Sequence, residues 1–262
     1  MFVQTYRTRR LRRAAALIAV CVAGLGAIPS PRIAHEALIA VAANFAEVAE
    51  RLEADFERDT GHQLTLTSGS TGKLYAQITN GAPFDVLLAA DQKRPELLVE
   101  QGYAVPASRF TYAVGRLTLW SADPTRVAEG AATLRTDFHR LAIANPDLAP
   151  YGAAAVETMI ALGVRELLRD RIVMGENIGQ THSMVATGNA ELGFVARSYV
   201  LSVRNPVSGS RWDVPPHLYT PIRQDAVLLQ RATRNPAAIS FLQFLRSDQA
   251  RAVIERFGYD VE

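Results

Sequence analysis

The sequence holds a single cysteine, Cys21, and it falls inside an N-terminal leader. The rest of the chain therefore cannot form an internal disulfide, attack through a thiolate, or bind a metal through sulfur. Histidine is also scarce. The five residues, at 35, 62, 139, 182 and 217, show neither H-x-x-x-H nor H-E-x-x-H spacing, so no zinc-type cluster is legible. No G-x-S-x-G elbow occurs, which removes the usual serine nucleophile of α/β hydrolases. The stretch "SGSTGKL" at 68–74 looks like a phosphate loop but lacks two fixed positions of G-x-x-x-x-G-K-[ST]. Thr67 stands where the first glycine belongs, and Leu74 where the magnesium-binding hydroxyl belongs. A nucleotide loop is excluded, and a smaller anion is the remaining reading.

What is present starts with the leader. Arg7, Arg9, Arg10, Arg12 and Arg13 precede the apolar run "AAALIAVCVAGLGAI", followed by Pro29 and Pro31. This pattern predicts a secretory signal over residues 1–34, cleaved between Ala27 and Glu36, and too short for a membrane span. Ile18 to Val20 lack the small residue expected beside a lipidated cysteine, so Cys21 is not read as a lipid anchor. Residues 1–34 hold six of the 28 basic residues and no acids, leaving 22 basic against 26 acidic residues, a net of −4. The basic balance of the whole chain thus belongs to its leader and argues for no nucleic-acid partner.

After the leader, apolar runs of strand length alternate with amphipathic stretches. "ALIAVAA" (37–43) reads as a buried strand, and Asn44 as the N-cap of a helix with Phe45, Val48, Leu52 and Phe56 inward and Gly61 at its end. "QLTLTSG" and "FDVLLAAD" read as further strands, as do "FTYAVGRLTLW", "RLAIAN", "RIVMG", "LGFVA" and "IRQDAVLLQ". Helices are expected to open at "STGKLYAQI" (70–78) and to lie near 151–162, 178–188, 235–246 and 248–257, and "RNPVSGSRWDVPP" (204–216) is read as a long irregular loop. Alternating strands and helices predict an α/β fold with mostly parallel sheets flanked by helices. In such sheets ligands bind where strands give way to helices, at the positive ends of helix dipoles. Four junctions are rich in small and hydrogen-bonding residues: "AANF" (42–45), "SGSTGKL" (68–74), "NPDLAPYGAAA" (145–155) and "GENIGQTHS" (175–183).

Taken together, "AANF", "GSTGKLYAQI" with "GAPFDVLLAAD", "NPDLAPYG" and "GENIGQTHSMVATGNAELGFVA" resemble the periplasmic molybdate-binding proteins of ABC importers. The resemblance spans residues 37–262 and implies the two-lobed type II periplasmic binding protein fold. It further implies an exported, monomeric, non-enzymatic receptor that holds molybdate, and tungstate with it, between the lobes and passes it to a membrane permease. One lobe is expected to comprise 37–113 plus 221–262 and the other 114–220, with crossings near Tyr112–Arg116 and Leu218–Ile222. In that family hydroxyls and backbone N–H groups hold the oxyanion, with no cationic side chain, no resident cofactor and no direct metal ligand. Carried over position by position, the oxyanion-binding residues are Ala43, Asn44, Ser70, Thr71, Tyr151 and Ile178, the last through its backbone. Where some members carry a tyrosine after the "G-[IF]-V" strand this chain has Ala196, so Tyr151 is expected to supply the missing contact by side chain or backbone.

The chemistry of the residues agrees with that implication. A deprotonated tetrahedral dianion offers only acceptors, so its site needs only donors. A protonated phosphate also needs an acceptor. The first two junctions contain no carboxylate, and Asp147 and Glu176 only flank the other two. Iron-binding relatives use adjacent tyrosines, and no Tyr-Tyr pair exists here. Lys73, on the first turn of its helix, is expected to face solvent. Another tetrahedral oxyanion such as sulfate is the alternative ligand. A hydrolase using His182 is a distant third reading.

Overall fold

The apolar run after the leader forms β1 (Glu36–Ala42) in the computed structural model, which describes residues 34–262. The predicted signal segment, including Cys21, lies outside the described residues apart from Ala34. A 3-10 turn (Ala43–Phe45) leads into α1 (Ala46–Thr60), which buries Val48, Ala49, Leu52 and Phe56 along one face. Gly61 ends α1 in the left-handed region at φ 76°, a conformation open to glycine without steric cost. The chain continues through β2 (Gln63–Gly69), α2 (Thr71–Thr79), β3 (Val86–Leu88), α3 (Lys93–Glu100) and β4 (Phe110–Gly115). Next come β5 (Leu117–Ser121), β6 (Leu141–Ala144), α4 (Pro150–Ala161), α5 (Arg165–Leu168) and β7 (Ile172–Gly175). They are followed by α6 (Ile178–Ala186), β8 (Leu192–Ala196), α7 (Arg197–Leu201) and β9 (Ser210–Asp213). The chain closes with β10 (Ile222–Leu228), α8 (Pro236–Leu245) and α9 (Asp248–Arg256).

Two five-stranded sheets result, in the orders β2-β1-β3-β10-β4 and β7-β6-β8-β5-β9, each flanked by helices as a lobe. The β2-β1-β3 and β7-β6-β8 portions are parallel, while β10 and β4 in one sheet and β5 and β9 in the other add antiparallel pairs. The antiparallel strands are those by which the chain changes sheets. The run "FTYAVGRLTLW" is split at Arg116 into β4 of the first sheet and β5 of the second. The return runs from β9 to β10. The stretch 204–216, expected to be irregular, contains β9, an edge strand pairing antiparallel with β5. Its alternation of half-buried and exposed residues in "SRWD" is too short to be read as a strand without its partner.

Each sheet has its own core. Ile39, Val41, Phe45, Leu52, Phe56 and Phe241 pack in the first. Leu117, Leu119, Ile143, Met159 and Phe194 pack in the second. No helix among the described residues is long and apolar enough to cross a membrane.

Candidate functional site

Strand register brings the four junctions together. Ala42, the last residue of β1, pairs with Gly69, the last of β2, so the first two loops leave the sheet side by side. In the second sheet Ala144 of β6 pairs with Gly175 of β7, which places the third and fourth loops together. Asn145 N–H donates to Gly175 O at 2.8 Å and ties that second pair. Contacts then join the two pairs. Gly72 N–H donates to Leu148 O (2.9 Å), Lys73 Nζ meets Glu176 Oε1 (2.7 Å), and Tyr199 OH donates to Ala43 O (2.6 Å). Gly72 is needed for this approach, since a Cβ there would lie 3.1 Å from Leu148 Cα and O.

The donors at this meeting point follow from the helix starts. Ser70 occupies the N-cap of α2, yet its hydroxyl makes no capping bond, is buried, and has no hydrogen-bond partner among the described residues. Buried polar atoms are almost always paired, so an orphan at a helix N-terminus calls for an explanation. Thr71, also buried, accepts Ala90 N–H at its Oγ1 (3.0 Å), which leaves the hydroxyl proton free to donate. At the start of α4, Pro150 has no N–H, and Gly152 and Ala153 both donate to Ala149 O. Tyr151 N–H therefore remains as the uncommitted donor of that turn. Ile178 opens α6 behind Asn177, whose side chain accepts from Gln180 N, while Thr181 N–H returns to Asn177 O. The N–H of Ile178 belongs to the group that no intrahelical bond can satisfy.

One expected role changes. Asn44 does not cap α1. It sits within the 3-10 turn, the N-cap is Phe45, and its Nδ2 donates to Gln224 Oε1 (2.9 Å) and Tyr259 OH (3.1 Å). The 3-10 turn carries the chain into α1, so Asn44 has no helix end to cap. Lys73 faces solvent as expected, and at the surface its Nζ meets Glu176 Oε1 (2.7 Å) because closely apposed loops put a carboxylate within its reach. The Tyr151 hydroxyl oxygen accepts from Gln224 Nε2 (3.4 Å) and packs against Gly115. Burial holds the Tyr151 and Tyr112 phenols well above their usual range, and it pushes Tyr259 up to about 12 despite hydrogen bonds to Ser198, Asn44 and Tyr151. All three stay neutral at physiological pH. For the oxyanion site that the resemblance implies, Tyr151→Phe is expected to weaken binding by no more than about 1 kcal/mol, since the lost bond is the one accepted from Gln224 Nε2. Calorimetric titration of the variant checks this, and a loss above tenfold would place the hydroxyl on the anion.

Charge is neutralised around these donors. Arg94 pairs with Asp91 and donates from Nη2 to Asp147 O (2.7 Å), and Lys73 is matched by Glu176. Asp147 and Glu176 themselves are exposed. Ala43 and Ala196 are buried and contribute no side-chain donor. His182 is packed between Trp120 and Tyr199, ring centroids 4.8 and 5.2 Å away and nearly parallel. Burial lowers its pKa, against an opposing hydrogen bond with Asn205. It is a stacked, buried residue whose Nε2 has no hydrogen-bond partner among the described residues. The residues missed from the sequence are Gln224, Tyr259 and Ser198, which surround Asn44 from distant parts of the chain, and Tyr112, which reaches Gln224.

Comparison with known proteins bears on the family. A family model described as bacterial extracellular solute-binding protein matches residues 37–260. The molybdate-binding protein ModA of Rhodobacter capsulatus is 50% identical over 250 residues, covering 95% of this chain and 97% of that protein. ModA of Azotobacter vinelandii is 48% identical over 244 residues, 93% of this chain and 97% of its own length. The solved structure of the Azotobacter vinelandii periplasmic molybdate-binding protein superposes with a TM-score of 0.83 at 40% identity, covering 86% of this chain and 99% of that one. A two-lobed fold, four helix-start loops meeting between the lobes, and likeness at this level over nearly the full length lead to one assignment: the chain belongs to the bacterial extracellular solute-binding protein family, alongside these ModA proteins.

Proposed function

We propose that this protein is an exported periplasmic receptor that binds molybdate, and tungstate with it, and delivers it to the permease of an ABC importer. The observation that carries the reading is the buried Ser70 hydroxyl, which lacks a partner at the N-terminus of α2 and sits beside Thr71 with its proton to give. The oxyanion is held by the Ser70 and Thr71 hydroxyls and by N–H groups of the first loop (Ala43, Asn44), of Tyr151 and of Ile178. Donors without acceptors suit a fully ionised tetrahedral dianion and disfavour a protonated phosphate, whose proton would need a buried carboxylate. The carboxylates of these loops are exposed or paired with cations.

The site draws on both sheets, so closure of the lobes completes it. Two crossings, near Tyr112–Arg116 and Leu218–Ile222, serve as the hinge, between lobes of residues 37–113 plus 221–262 and 114–220. Anion binding shifts the population toward the closed form because only that form presents donors from both sides. Charge-assisted hydrogen bonds contribute roughly 1.5–3 kcal/mol each. About six of them, after desolvation and closure costs, support a dissociation constant of about 1 μM to 1 nM. Binding without turnover is the expected activity, and the protein acts as a monomer.

The test is parallel titration calorimetry of the protein, freed of its leader, with molybdate, tungstate, sulfate and phosphate. Molybdate and tungstate are expected to bind tightly and to stabilise the fold by about 2.7 kcal/mol at a hundredfold excess over Kd. Tight sulfate binding with no response to molybdate would replace the assigned ligand. No response to any oxyanion would remove the receptor reading.

A further inference from the structure

Behind the proposed oxyanion donors lies a buried polar cluster that those donors do not use. Its centre is Gln224, fully buried on β10 where the pairing with β4 shifts register between Gln224 and Asp225. A bulge of this kind re-aims a side chain. Gln224 Oε1 accepts from Asn44 Nδ2 (2.9 Å) and lies 3.1 Å from Tyr112 OH, which also donates to Ala89 O (3.0 Å). On its other side Gln224 Nε2 donates to Tyr151 OH (3.4 Å). Gly115, the last residue of β4, makes room for both partners: a Cβ there would overlap the Tyr151 hydroxyl and approach Gln224 Nε2 to 2.7 Å. One side chain thus binds the first loop, attached to the first sheet, and the third loop, attached to the second, at the strand where the chain returns between sheets.

The geometry points to Gln224 as a positioning and selectivity residue: it fixes the Asn44 and Tyr151 turns from behind, and its neutral amide keeps negative charge away from the anion. The inference rests on the proposed oxyanion function. Glutamine meets both requirements where its acid does not. A carboxylate at this position would accept the same bonds from Asn44 and Tyr112 but would repel a dianion through a low-dielectric wall. The groups that face Gln224 are Asn44, Tyr112 and Tyr151, with Tyr259 bonded to Asn44 beyond them. The phenols are protonated at neutral pH. Asp225, its neighbour on the strand, is engaged elsewhere, with Thr111 (2.7 Å) and Gln92 (3.3 Å).

Two variants separate positioning from general support of the fold, each read by calorimetric titration after circular dichroism confirms folding. Gln224→Glu is titrated with molybdate between about pH 6 and 9, a range in which unperturbed carboxyls and phenols keep their charge. The wild type is expected to bind with constant affinity. Gln224→Glu is expected to lose roughly ten- to a hundredfold as its raised carboxyl pKa is crossed, and to take up a proton on binding. Gln224→Met keeps the volume but removes the acceptor of Asn44 Nδ2, while Tyr112 OH retains Ala89 O, and is titrated with molybdate and sulfate. Loosened donors are expected to lower molybdate affinity about tenfold and sulfate affinity less, which compresses the ratio between them. A pH-independent Gln224→Glu, or an unchanged ratio for Gln224→Met despite a lower melting temperature, would reduce Gln224 to a structural residue. If Gln224→Glu does not fold, the ratio for Gln224→Met decides alone. If the wild type binds no oxyanion, the receptor reading has failed instead, and that outcome is distinct from wild type and variants binding alike.

Discussion

Replacing Ser70 by alanine is expected to weaken molybdate binding by about ten- to a hundredfold while leaving the ligand-free protein at least as stable as before. Both halves follow from one observation, the burial of the Ser70 hydroxyl without a partner. Without anion, the hydroxyl is a desolvated dipole that contributes nothing in return, so its removal costs nothing and can add up to about 1 kcal/mol. With anion, it donates to a charged oxygen, a bond worth roughly 1.5–3 kcal/mol. Thr71→Ala is expected to lose a similar affinity but also some stability, because Thr71 Oγ1 accepts Ala90 N–H at 3.0 Å and that buried amide is then left unpaired. Lys73→Ala is the contrast. Its ion pair with Glu176 lies at the surface, with both side chains about half exposed, and such pairs contribute about 0–1 kcal/mol, less in added salt. Titrations and melts of the three variants at two ionic strengths decide the matter. A large, salt-sensitive loss for Lys73→Ala beside a small one for Ser70→Ala would mean that the loop pairs charge with charge, and the oxyanion reading would lose its physical basis.

Local pattern carried a good part of this structure. β1 and α1 were legible because a buried strand, an amphipathic face and a terminal glycine are all encoded within a single segment. The four polar junctions were legible for the same reason, and the parallel register then brings them together. What local pattern could not carry was sheet membership. "FTYAVGRLTLW" is one apolar run, and nothing in its periodicity marks Arg116 as the point where the chain leaves one sheet for another. The partners of Asn44 were hidden for a related reason. Gln224 and Tyr259 lie 180 and 215 residues away along the chain, and a lone glutamine in a strand announces no contact. The Tyr151 hydroxyl is the clearest instance. The resemblance left open whether the side chain or the backbone of Tyr151 makes the contact, and nothing local shows that its hydroxyl meets Gln224 beside Gly115.

Gly152→Ala is expected to be the most damaging single substitution at the site, costing about 3 kcal/mol or more in stability and most of the oxyanion affinity. Gly152 follows Tyr151 in the first turn of α4, and a Cβ there would overlap Ala144 O at the end of β6 and lie 2.9 Å from Pro146 N. These are backbone atoms of a buried strand end and its loop, so they cannot swing aside as a side-chain tip would. The helix start must move instead, and it takes the Tyr151 N–H with it. Overpacking of this kind costs about 1–3 kcal/mol and occasionally more. At roughly 2–4 °C per kcal/mol for a chain of this size, the melting temperature should fall by about 6–12 °C. Gly209→Ala provides the control. Its φ is 56°, and a Cβ there would overlap Ser121 O, so comparable strain is expected. Ser121, however, ends β5 opposite the end where Leu117 pairs with Ala196, far from the helix starts. Both variants should therefore melt early, but at a temperature where both remain folded only Gly152→Ala should fail to bind molybdate. Equal affinities in the two folded variants would show that the start of α4 does not hold the anion, and the third loop would leave the site.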